Sequence, residues 1–278
     1  MLEPKLYLCA TPIGNLEDIT FRVVRVLSEV DSVYAEDTRH SGALLKHLNI
    51  KKPLFSCHAH NEAQKAEEIV QKIKEGLSVA YVSDAGLPGI SDPGERLVSA
   101  CIRDSIPFEV LPGASASLLA LVMSGLPTKD ACFAGFLPRE TKERRLKLAS
   151  LARHTGTILF YESPLRVKAT LDELLVTYGD RPAALMRELT KLHEEAVRGT
   201  LSSLSARYEN EPPKGECVLA VGGAAEANTE QTPGRLEEFL TLLLEQGLSA
   251  KDAAKQASAV LDVPRNEAYA LAVELKGK

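Results

Sequence analysis

Short apolar runs alternate with amphipathic stretches through the first 124 residues of the chain. Five of these runs have the length and composition of buried strands, at Leu6 to Ala10, Ser32 to Ala35, Leu54 to Cys57, Val79 to Val82 and Pro107 to Leu111. Between them, apolar residues recur at helical spacing, as in Val23, Val24 and Leu27 and in the stretch from Ala63 to Lys74. Continuous apolar strands that alternate with helices predict a parallel sheet joined by right-handed crossovers.

The alternation begins again near Gly125-Leu126-Pro127. Further strands are expected at Cys132 to Phe136, Thr157 to Tyr161, Ala183 to Arg187, Ala196 to Thr200 and Cys217 to Val221. A basic helix from Glu140 to Arg153 and a helix that carries Leu171, Leu174 and Leu175 lie among them. This restart predicts two α/β domains, residues 1–114 and 115–223.

The last part of the chain changes character. Residues 224–233 are small and polar, which is typical of a linker. A stripe at helical spacing then follows, formed by Leu236, Phe239, Leu240, Leu243 and Leu244. Two short helices are expected at 250–261 and 265–276, with Pro264 between them. Residues 234–278 therefore predict a small all-α, helix-turn-helix-like module.

Composition and charge fit a soluble cytoplasmic protein. Hydrophobic residues make up 45% of the chain and charged residues 26%, and no apolar run is long enough to span a membrane. The N-terminus lacks the features of a signal peptide. The five cysteines are scattered and form no CxxC motif, so we expect small buried thiols. The net charge is −5, so any contact with nucleic acid requires a local basic patch.

The loop from Ser83 to Gly94, which reads SDAGLPGISDPG, is rich in the glycine, proline and aspartate residues that fix a backbone conformation. It follows a predicted buried strand and precedes a helix, where open α/β sheets bind ligands. It is longer than an ordinary strand-to-helix connection, which is the alternative interpretation. The first such loop, at 11–16, lacks the three glycines of a dinucleotide-binding fingerprint, so it gives little support to a Rossmann cofactor site.

Several long motifs occur in a specific order between residues 5 and 223: TPIGNLEDIT, AEDTR, HNE, SDAGLPGISDPG, LPGASA, GFLP, FYESPLR, RELTKLHEE and KGE. In these motifs the chain resembles the small-subunit ribosomal RNA methyltransferase I group of the tetrapyrrole methylase superfamily. The resemblance implies two α/β domains with the cofactor in the cleft between them, usually as a homodimer. It implies transfer of a methyl group from S-adenosylmethionine (SAM) to the 2′-hydroxyl of a cytidine. That cytidine lies in the decoding centre of small-subunit ribosomal RNA, and the assembled 30S subunit is the expected substrate.

The resemblance also implies which residues lie near the cofactor: Ile13, Gly14, Gly86, Leu87, Pro88, Ile90, Ala114, Ser115, Ala116, Tyr161, Glu162, Glu216 and Cys217. Glycine and other small residues allow a backbone to approach a ligand closely. Superfamily members often have aspartate where this chain has Leu87. A polar contact at that position must therefore use the backbone, or a neighbour such as Ser83 or Asp84.

A ribose hydroxyl is a weak nucleophile, so transfer requires in-line placement and benefits from a general base. The candidates at predicted strand ends and loops are Asp37, His40, Glu62, Glu162 and Lys191, and Arg39 could hold a phosphate. A solvated charge at a strand end is the alternative for each. His58 and His60 alone do not make a metal site, and no metal is expected.

RNA contact is expected on the basic stretch that contains Arg139, Lys142, Arg144, Arg145, Lys147 and Arg153. A solvated amphipathic helix explains the same charges. Two other function classes remain open: a methyltransferase of the same fold that acts on a tetrapyrrole, a corrin or a protein side chain, and a non-catalytic ribosome-binding factor.

Overall fold

The computed structural model describes residues 2–225, 232–245, 248–261 and 263–276. The chain forms two compact units, Met1–Ala224 and Ala225–Lys278. In these described residues, the first unit contains two five-stranded sheets and the second contains three helices.

The first sheet is fully parallel, as the sequence predicts. Its strands are β1 (Leu6–Cys9), β2 (Ser32–Ala35), β3 (Leu54–Ser56), β4 (Val79–Val82) and β5 (Phe108–Leu111), in the order β3-β2-β4-β1-β5. The connecting helices are α1 (Phe21–Glu29), α2 (Thr38–His47), α3 (Glu62–Lys74) and α4 (Glu95–Arg103). Helix α2 is an addition, because the apolar pattern of the sequence indicated no helix between β2 and β3. Its N-terminus is capped by the Asp37 carboxylate, which accepts a hydrogen bond from the Arg39 backbone N–H at 2.8 Å.

Alternate residues of each strand face opposite layers of helices. In β1, Leu6 and Leu8 pack with Ile69 of α3, whereas Tyr7 and Cys9 pack with the layer that includes Val26 of α1. A parallel sheet covered on both faces has two apolar cores, which explains why its strands are continuously hydrophobic. The carboxyl ends of all five strands therefore meet at one edge of the sheet, free to carry a ligand site.

The second sheet is mixed. Its elements in chain order are α5 (Ala116–Ser124), β6 (Cys132–Phe136), α6 (Thr141–Leu151), β7 (Ile158–Glu162), α7 (Val167–Tyr178), β8 (Pro182–Arg187), β9 (Glu195–Thr200), α8 (Leu201–Arg207) and β10 (Cys217–Val221). The order is β6-β7-β10-β8-β9, and only β6 and β7 are parallel neighbours. The sequence did not indicate α8, and the basic helix ends at Leu151 rather than Arg153.

Helix α5 connects the two sheets along the chain. Its residues Ala120 and Leu121 pack with Leu159, Met186 and Val218 of the second sheet. This packing agrees with a domain division near residue 115, which remains a prediction.

The described part of the second unit contains α9 (Thr232–Glu245), α10 (Ala250–Leu261) and α11 (Arg265–Lys276). Leu236, Leu240 and Leu243 are buried against alanines of the two other helices, and Phe239 and Leu244 are partly buried beside them. The predicted apolar stripe is confirmed. The predicted linker is wrong for residues 232 and 233, which already belong to α9, and its residues 226–231 lie outside the described residues.

Four of the five cysteines are buried and Cys132 is half-buried, with all five thiols free. Among the described residues, no helix is both long enough and apolar enough to cross a membrane.

Candidate functional site

A cavity of about 360 Å³ lies between the two halves of the first unit, at the carboxyl ends of strands from both sheets. The first half contributes Ile13 and six residues of the loop from Ser83 to Gly94, which we call the central loop: Ala85, Gly86, Leu87, Ile90, Ser91 and Asp92. Further residues come from α5, from the strand ends and from their loops: Ser115, Ala116, Phe136, Tyr161, Glu162, Ser163, Pro164, Leu189, Gly215, Glu216, Cys217 and Val218. The volume is that of a site for one medium-sized ligand.

Ten of the thirteen residues expected near the cofactor line this cavity. The three that do not are Gly14, Pro88 and Ala114. Of the lining residues that were not singled out, Asp92, Phe136, Ser163, Pro164 and Gly215 lie inside motifs quoted above. Leu189 also lies inside a quoted motif, RELTKLHEE, whereas Val218 lies two residues after the KGE motif. Position inside those motifs was the signal that could have found all of them except Val218.

The central loop has a fixed shape. Gly86 exchanges two backbone hydrogen bonds with Thr11 at the end of β1, at 2.9 and 3.0 Å. At the other end, the buried Glu62 carboxylate accepts the backbone N–H groups of Gly94 at 2.7 Å and Arg96 at 3.1 Å. Gly86 and Gly94 have φ values of +80° and +138°, which side chains strongly disfavour. Glu62 therefore holds the loop that forms the cavity wall and does not itself line the cavity.

Gly14 is required by a contact within the protein. A Cβ at this position would lie 2.5 Å from Lys191 Cγ and 2.7 Å from Thr190 Oγ1. The next residue, Asn15, donates its backbone N–H to the Thr190 hydroxyl at 3.1 Å. The glycine therefore allows the loop after β1 to pack on the turn after β8, and this contact is sufficient reason for a glycine there.

Asp92 is the carboxyl group of this cavity with the most altered acidity. Burial raises the pKa of Asp92 to about 6, the Glu36 and Asp84 carboxylates add to the increase, and the Ser83 hydroxyl opposes it. Burial, followed by the Asp84 charge, also raises the pKa of Glu36. The preceding residue, Ser91, has a φ of +65°, a strained value for a residue with a side chain. Strained backbone and shifted acidity often occur together at functional sites.

Glu162 is buried and committed to structural bonds. Its Oε1 accepts the Ser163 backbone N–H at 2.8 Å and lies 3.2 Å from Arg166 Nε, while its Oε2 accepts the Thr170 hydroxyl at 2.7 Å. These bonds fix the turn from β7 into α7. Both carboxylate oxygens of Glu162 therefore serve to hold this turn.

Lys191 is held as a cation. Its Nζ lies 2.9 Å from Glu188 Oε1 and 3.0 Å from Glu216 Oε2. Burial lowers the pKa of Lys191, but the bonds to the two carboxylates outweigh it, and the pKa ends above the ordinary value. A lysine that stays protonated at neutral pH cannot accept a proton.

Asp37, Arg39 and His40 lie outside the cavity. Arg39 binds Asp37 through its side chain at 2.6 Å, and this bond holds the pKa of the Asp37 carboxyl far below its usual range. His40 lines a separate cavity of about 180 Å³ together with His47 and Asp84. Of the five general-base candidates, only Glu162 therefore lines the cavity of about 360 Å³.

The His58 and His60 rings meet edge to face with their centroids 5.9 Å apart. Across the described parts of the chain, no group of three or more His, Cys, Asp or Glu side chains is arranged to hold a metal ion.

The basic stretch contains both a cation that is bonded within the protein and cations that are exposed. Arg144 makes two hydrogen bonds of 2.6 Å to the Glu173 carboxylate on α7, so this arginine fastens α6 to its neighbour. Lys142, Arg145 and Lys147 are exposed on α6, and Arg153 lies in the turn after it. The accessible cations of the helix are therefore the two lysines and Arg145.

Comparison with known families decides the assignment. Residues 5–205 match the family model of tetrapyrrole (corrin/porphyrin) methylases. The chain belongs to this family. Residues 230–276 of this methylase match a second model, the RsmI C-terminal HTH domain.

Curated relatives cover nearly the whole methylase chain. "Ribosomal RNA small subunit methyltransferase I" from Streptococcus pyogenes serotype M1 is 44% identical and covers 95% of this chain and 93% of its own length. The proteins of the same name from Synechocystis and Vibrio cholerae are 43% and 42% identical, covering 98% and 99% of this chain and 98% and 96% of their own. Within the methylases, the chain belongs to the small-subunit ribosomal RNA methyltransferase I group.

Solved structures support the fold. The methyltransferase CobJ aligns with a TM-score of 0.61 at 19% identity, covering 80% of this chain and 95% of its own. Uroporphyrin-III-C-methyltransferase from Thermus thermophilus aligns with a TM-score of 0.56 at 24% identity, covering 79% and 94%. This methylase has the same two-sheet architecture.

The methyl donor of this methylase is S-adenosylmethionine, and the cavity fits it. Ile13, Leu87, Ile90, Leu189 and Val218 offer an apolar wall for an adenine ring. A Cβ at Gly86 would lie 3.4 Å from Ile13 Cγ2 and 3.5 Å from the Ala114 carbonyl oxygen. Gly86 therefore places no side chain between its backbone and these two residues at the cavity wall.

Proposed function

We propose that this methylase transfers a methyl group from SAM to the 2′-hydroxyl of a cytidine in the decoding centre of small-subunit ribosomal RNA. The observation that carries the proposal is the 42–44% identity, over nearly the full chain, to proteins named for methylation of that RNA. The fold is shared with tetrapyrrole enzymes and does not by itself indicate a substrate. The ribose, the cytidine and the assembled 30S subunit follow from the resemblance in the motifs.

In the proposed reaction, Asp92 acts as the general base. The bound sulfonium supplies the methyl group. The Asp92 carboxylate accepts the proton of the attacking hydroxyl as the new O–C bond forms and the S–C bond breaks. A base with a pKa of about 6 is mostly ionised at neutral pH, and it is still basic enough to take up a proton in the transition state. Gly86 and Ser115 border the same cavity and limit how the donor and the hydroxyl can approach.

Mass spectrometry of small-subunit RNA tests the proposal. In RNA from a strain that lacks the gene, one decoding-centre cytidine should lose its ribose methyl group, and purified protein with SAM should restore it on isolated 30S subunits. An unchanged RNA, or a methyl group lost from a base instead of a ribose, would contradict the proposal.

The same preparations separate the two other function classes. A tetrapyrrole, corrin or protein methyltransferase would bind SAM and leave the RNA unmethylated. A non-catalytic ribosome-binding factor would bind subunits and show no heat of binding with SAM in a calorimetric titration.

We also propose that α6 binds the phosphate backbone of the subunit RNA. Changing Lys142 and Arg145 to glutamate should weaken subunit binding and leave SAM affinity unchanged. The log–log dependence of affinity on salt should flatten by about 0.7–0.9 for each phosphate contact that is lost. Filter binding at several salt concentrations measures both effects.

Lys51→Glu with Lys129→Glu is the matched control, because both residues are exposed, lie outside α6 and give the same change in net charge. An equal loss of affinity in the control would mean that total charge, rather than α6, governs binding. Arg144 is excluded from the test because its change would break the bonds to Glu173.

We expect the enzyme to be a cytoplasmic homodimer. The side chains of Leu118 and Val122 lie one turn apart on α5 and are 62% and 73% exposed. Adjacent exposed apolar side chains of this kind favour a protein partner. Light scattering during size-exclusion chromatography, with Val122→Lys as the comparison, tests the dimer.

A further inference from the structure

A second cavity, of about 770 Å³, adjoins the cofactor cavity. It lies between the loop after β6 and helices α6 and α7, and three arginines line it: Arg139, Arg144 and Arg166. Phe136 and Ser163 line both cavities. We call this second cavity the arginine groove. The shared residues mean that a ligand in the groove would reach the edge of the cofactor site.

A β-bulge places Phe136 at this border. The pairing of β6 with β7 shifts between Phe133 and Gly135, and Gly135 has a φ of +66°. The Phe136 ring then contacts Tyr161 edge to face, with centroids 5.5 Å apart, yet 56% of Phe136 remains exposed. Bulges near active sites often redirect one side chain. The result is an aromatic ring that is fixed on one side and open to a ligand on the other.

The three arginines of the groove differ in their hydrogen bonds. Arg144 is bound by Glu173, and Arg166 is bound by Glu162 and by the Leu137 carbonyl oxygen at 3.1 Å. Arg139 is exposed, and within the described part of the chain its guanidinium has no hydrogen bond or ion pair. A free guanidinium beside an exposed ring is suited to a nucleotide, whose phosphate and base need these two partners.

We propose that the arginine groove holds the target nucleotide of the RNA, with its base stacked on Phe136 and a phosphate on Arg139. The ribose between them then lies at the border with the cofactor cavity, on the side of Ser163. This inference rests on the proposed function. It adds that the nucleotide leaves its stacked position in the RNA and is held by the second half of the enzyme. Phe136 and Arg139 are thus positioning residues for the acceptor.

Single-turnover methylation tests the proposal, with 30S subunits from a strain that lacks the gene and saturating SAM. Phe136→Ala should lower the transfer rate by about 5- to 150-fold, the usual effect of losing one base–aromatic stack. Phe136→Tyr should keep most of the rate because it keeps the ring. Arg139→Ala should lower the rate, and Arg139→Lys should restore much of it because it keeps the charge.

Phe133→Leu is the matched control. Phe133 contacts the same Tyr161 ring, with centroids 4.8 Å apart, but lines neither cavity. It should therefore keep the wild-type rate. SAM affinity and the melting temperature, measured on every variant, distinguish loss of a nucleotide contact from damage to the cofactor site or the fold.

A wild-type rate for Phe136→Ala would overturn the inference. So would a rate that falls only in parallel with SAM affinity, or an equal loss in Phe133→Leu. If the wild-type enzyme transfers no methyl group to the subunits, the proposed function fails and the inference fails with it. Normal wild-type transfer together with unaffected groove variants removes the inference alone.

Discussion

Changing Asp92 to asparagine is expected to lower kcat for methyl transfer by about 10²- to 10⁴-fold, the usual contribution of a general base. The amide has nearly the same shape and cannot take up the proton. SAM affinity should stay close to that of the wild type, because the cavity keeps its size. Stopped assays with labelled SAM and 30S subunits measure the rate, and calorimetry measures the affinity.

The same variant should be more stable than the wild type at neutral pH. The folded-state pKa of Asp92, about 6, lies above the ordinary value of 3.8, so the folded protein binds this proton more tightly than the unfolded chain does. The contribution of the group to the free energy of unfolding is present below about pH 4 and is lost as the pH increases through 6. Asparagine removes the buried charge, so its melting temperature should increase most above pH 6. Lower activity with an unchanged melting temperature would argue against a raised pKa for Asp92.

The pH dependence of the rate gives a matched control. Wild-type kcat/KM should fall as the pH decreases through about 6, because the Asp92 carboxylate of the free enzyme becomes protonated. Glu36→Gln removes a neighbouring charge that raises the pKa of Asp92, so the fall should move to lower pH while the plateau rate remains. If the pH profile is the same in Glu36→Gln, another group controls it.

The second large effect is expected from changing Gly86 to valine. SAM affinity should fall by about 5- to 150-fold, because the added methyl groups overfill the site. The first added atom would contact Ile13, and the two methyl groups beyond it must displace Ile13 or enter the cavity. Calorimetric titration with SAM measures the loss.

Gly76→Val separates this effect from backbone strain. Gly76 has a φ of +90°, close to the +80° of Gly86, and an added Cβ would meet no atom within 4 Å. Both valines should therefore lower the melting temperature through strain, and only Gly86→Val should weaken SAM binding. Wild-type affinity in a folded Gly86→Val protein would remove the central loop from the cofactor site.

The sequence predicted most of the fold because its strands are short, continuous apolar runs with turn residues at both ends. It missed α2 because that helix begins with polar residues and buries few apolar ones. The sequence also could not predict which strands of the second sheet are antiparallel, because a short strand has the same apolar pattern whichever way its neighbour runs.

Most of the residues that the resemblance implies near the cofactor line one cavity, because they lie in motifs whose order is specific. The roles of the charged residues were not, because a carboxylate at a strand end looks the same in sequence whether it is free or bonded. Each of the two residues Glu162 and Lys191 is bonded to a partner that lies elsewhere in the sequence. Glu162 accepts a hydrogen bond from Thr170, and Lys191 is paired with Glu216. Asp92 gains its raised pKa from burial beside Glu36, 56 positions earlier in the chain.

The Glu62 carboxylate holds the end of the central loop through Gly94 and Arg96. This support should affect the rate at which a ligand binds. A loop that is already held by hydrogen bonds at Gly86 and Gly94 loses little conformational entropy when a ligand binds. We therefore expect SAM to associate without a slow isomerisation, so that the observed rate increases linearly with its concentration in stopped-flow experiments. The amide hydrogens of Gly94 and Arg96 should likewise exchange slowly with solvent before any ligand is added.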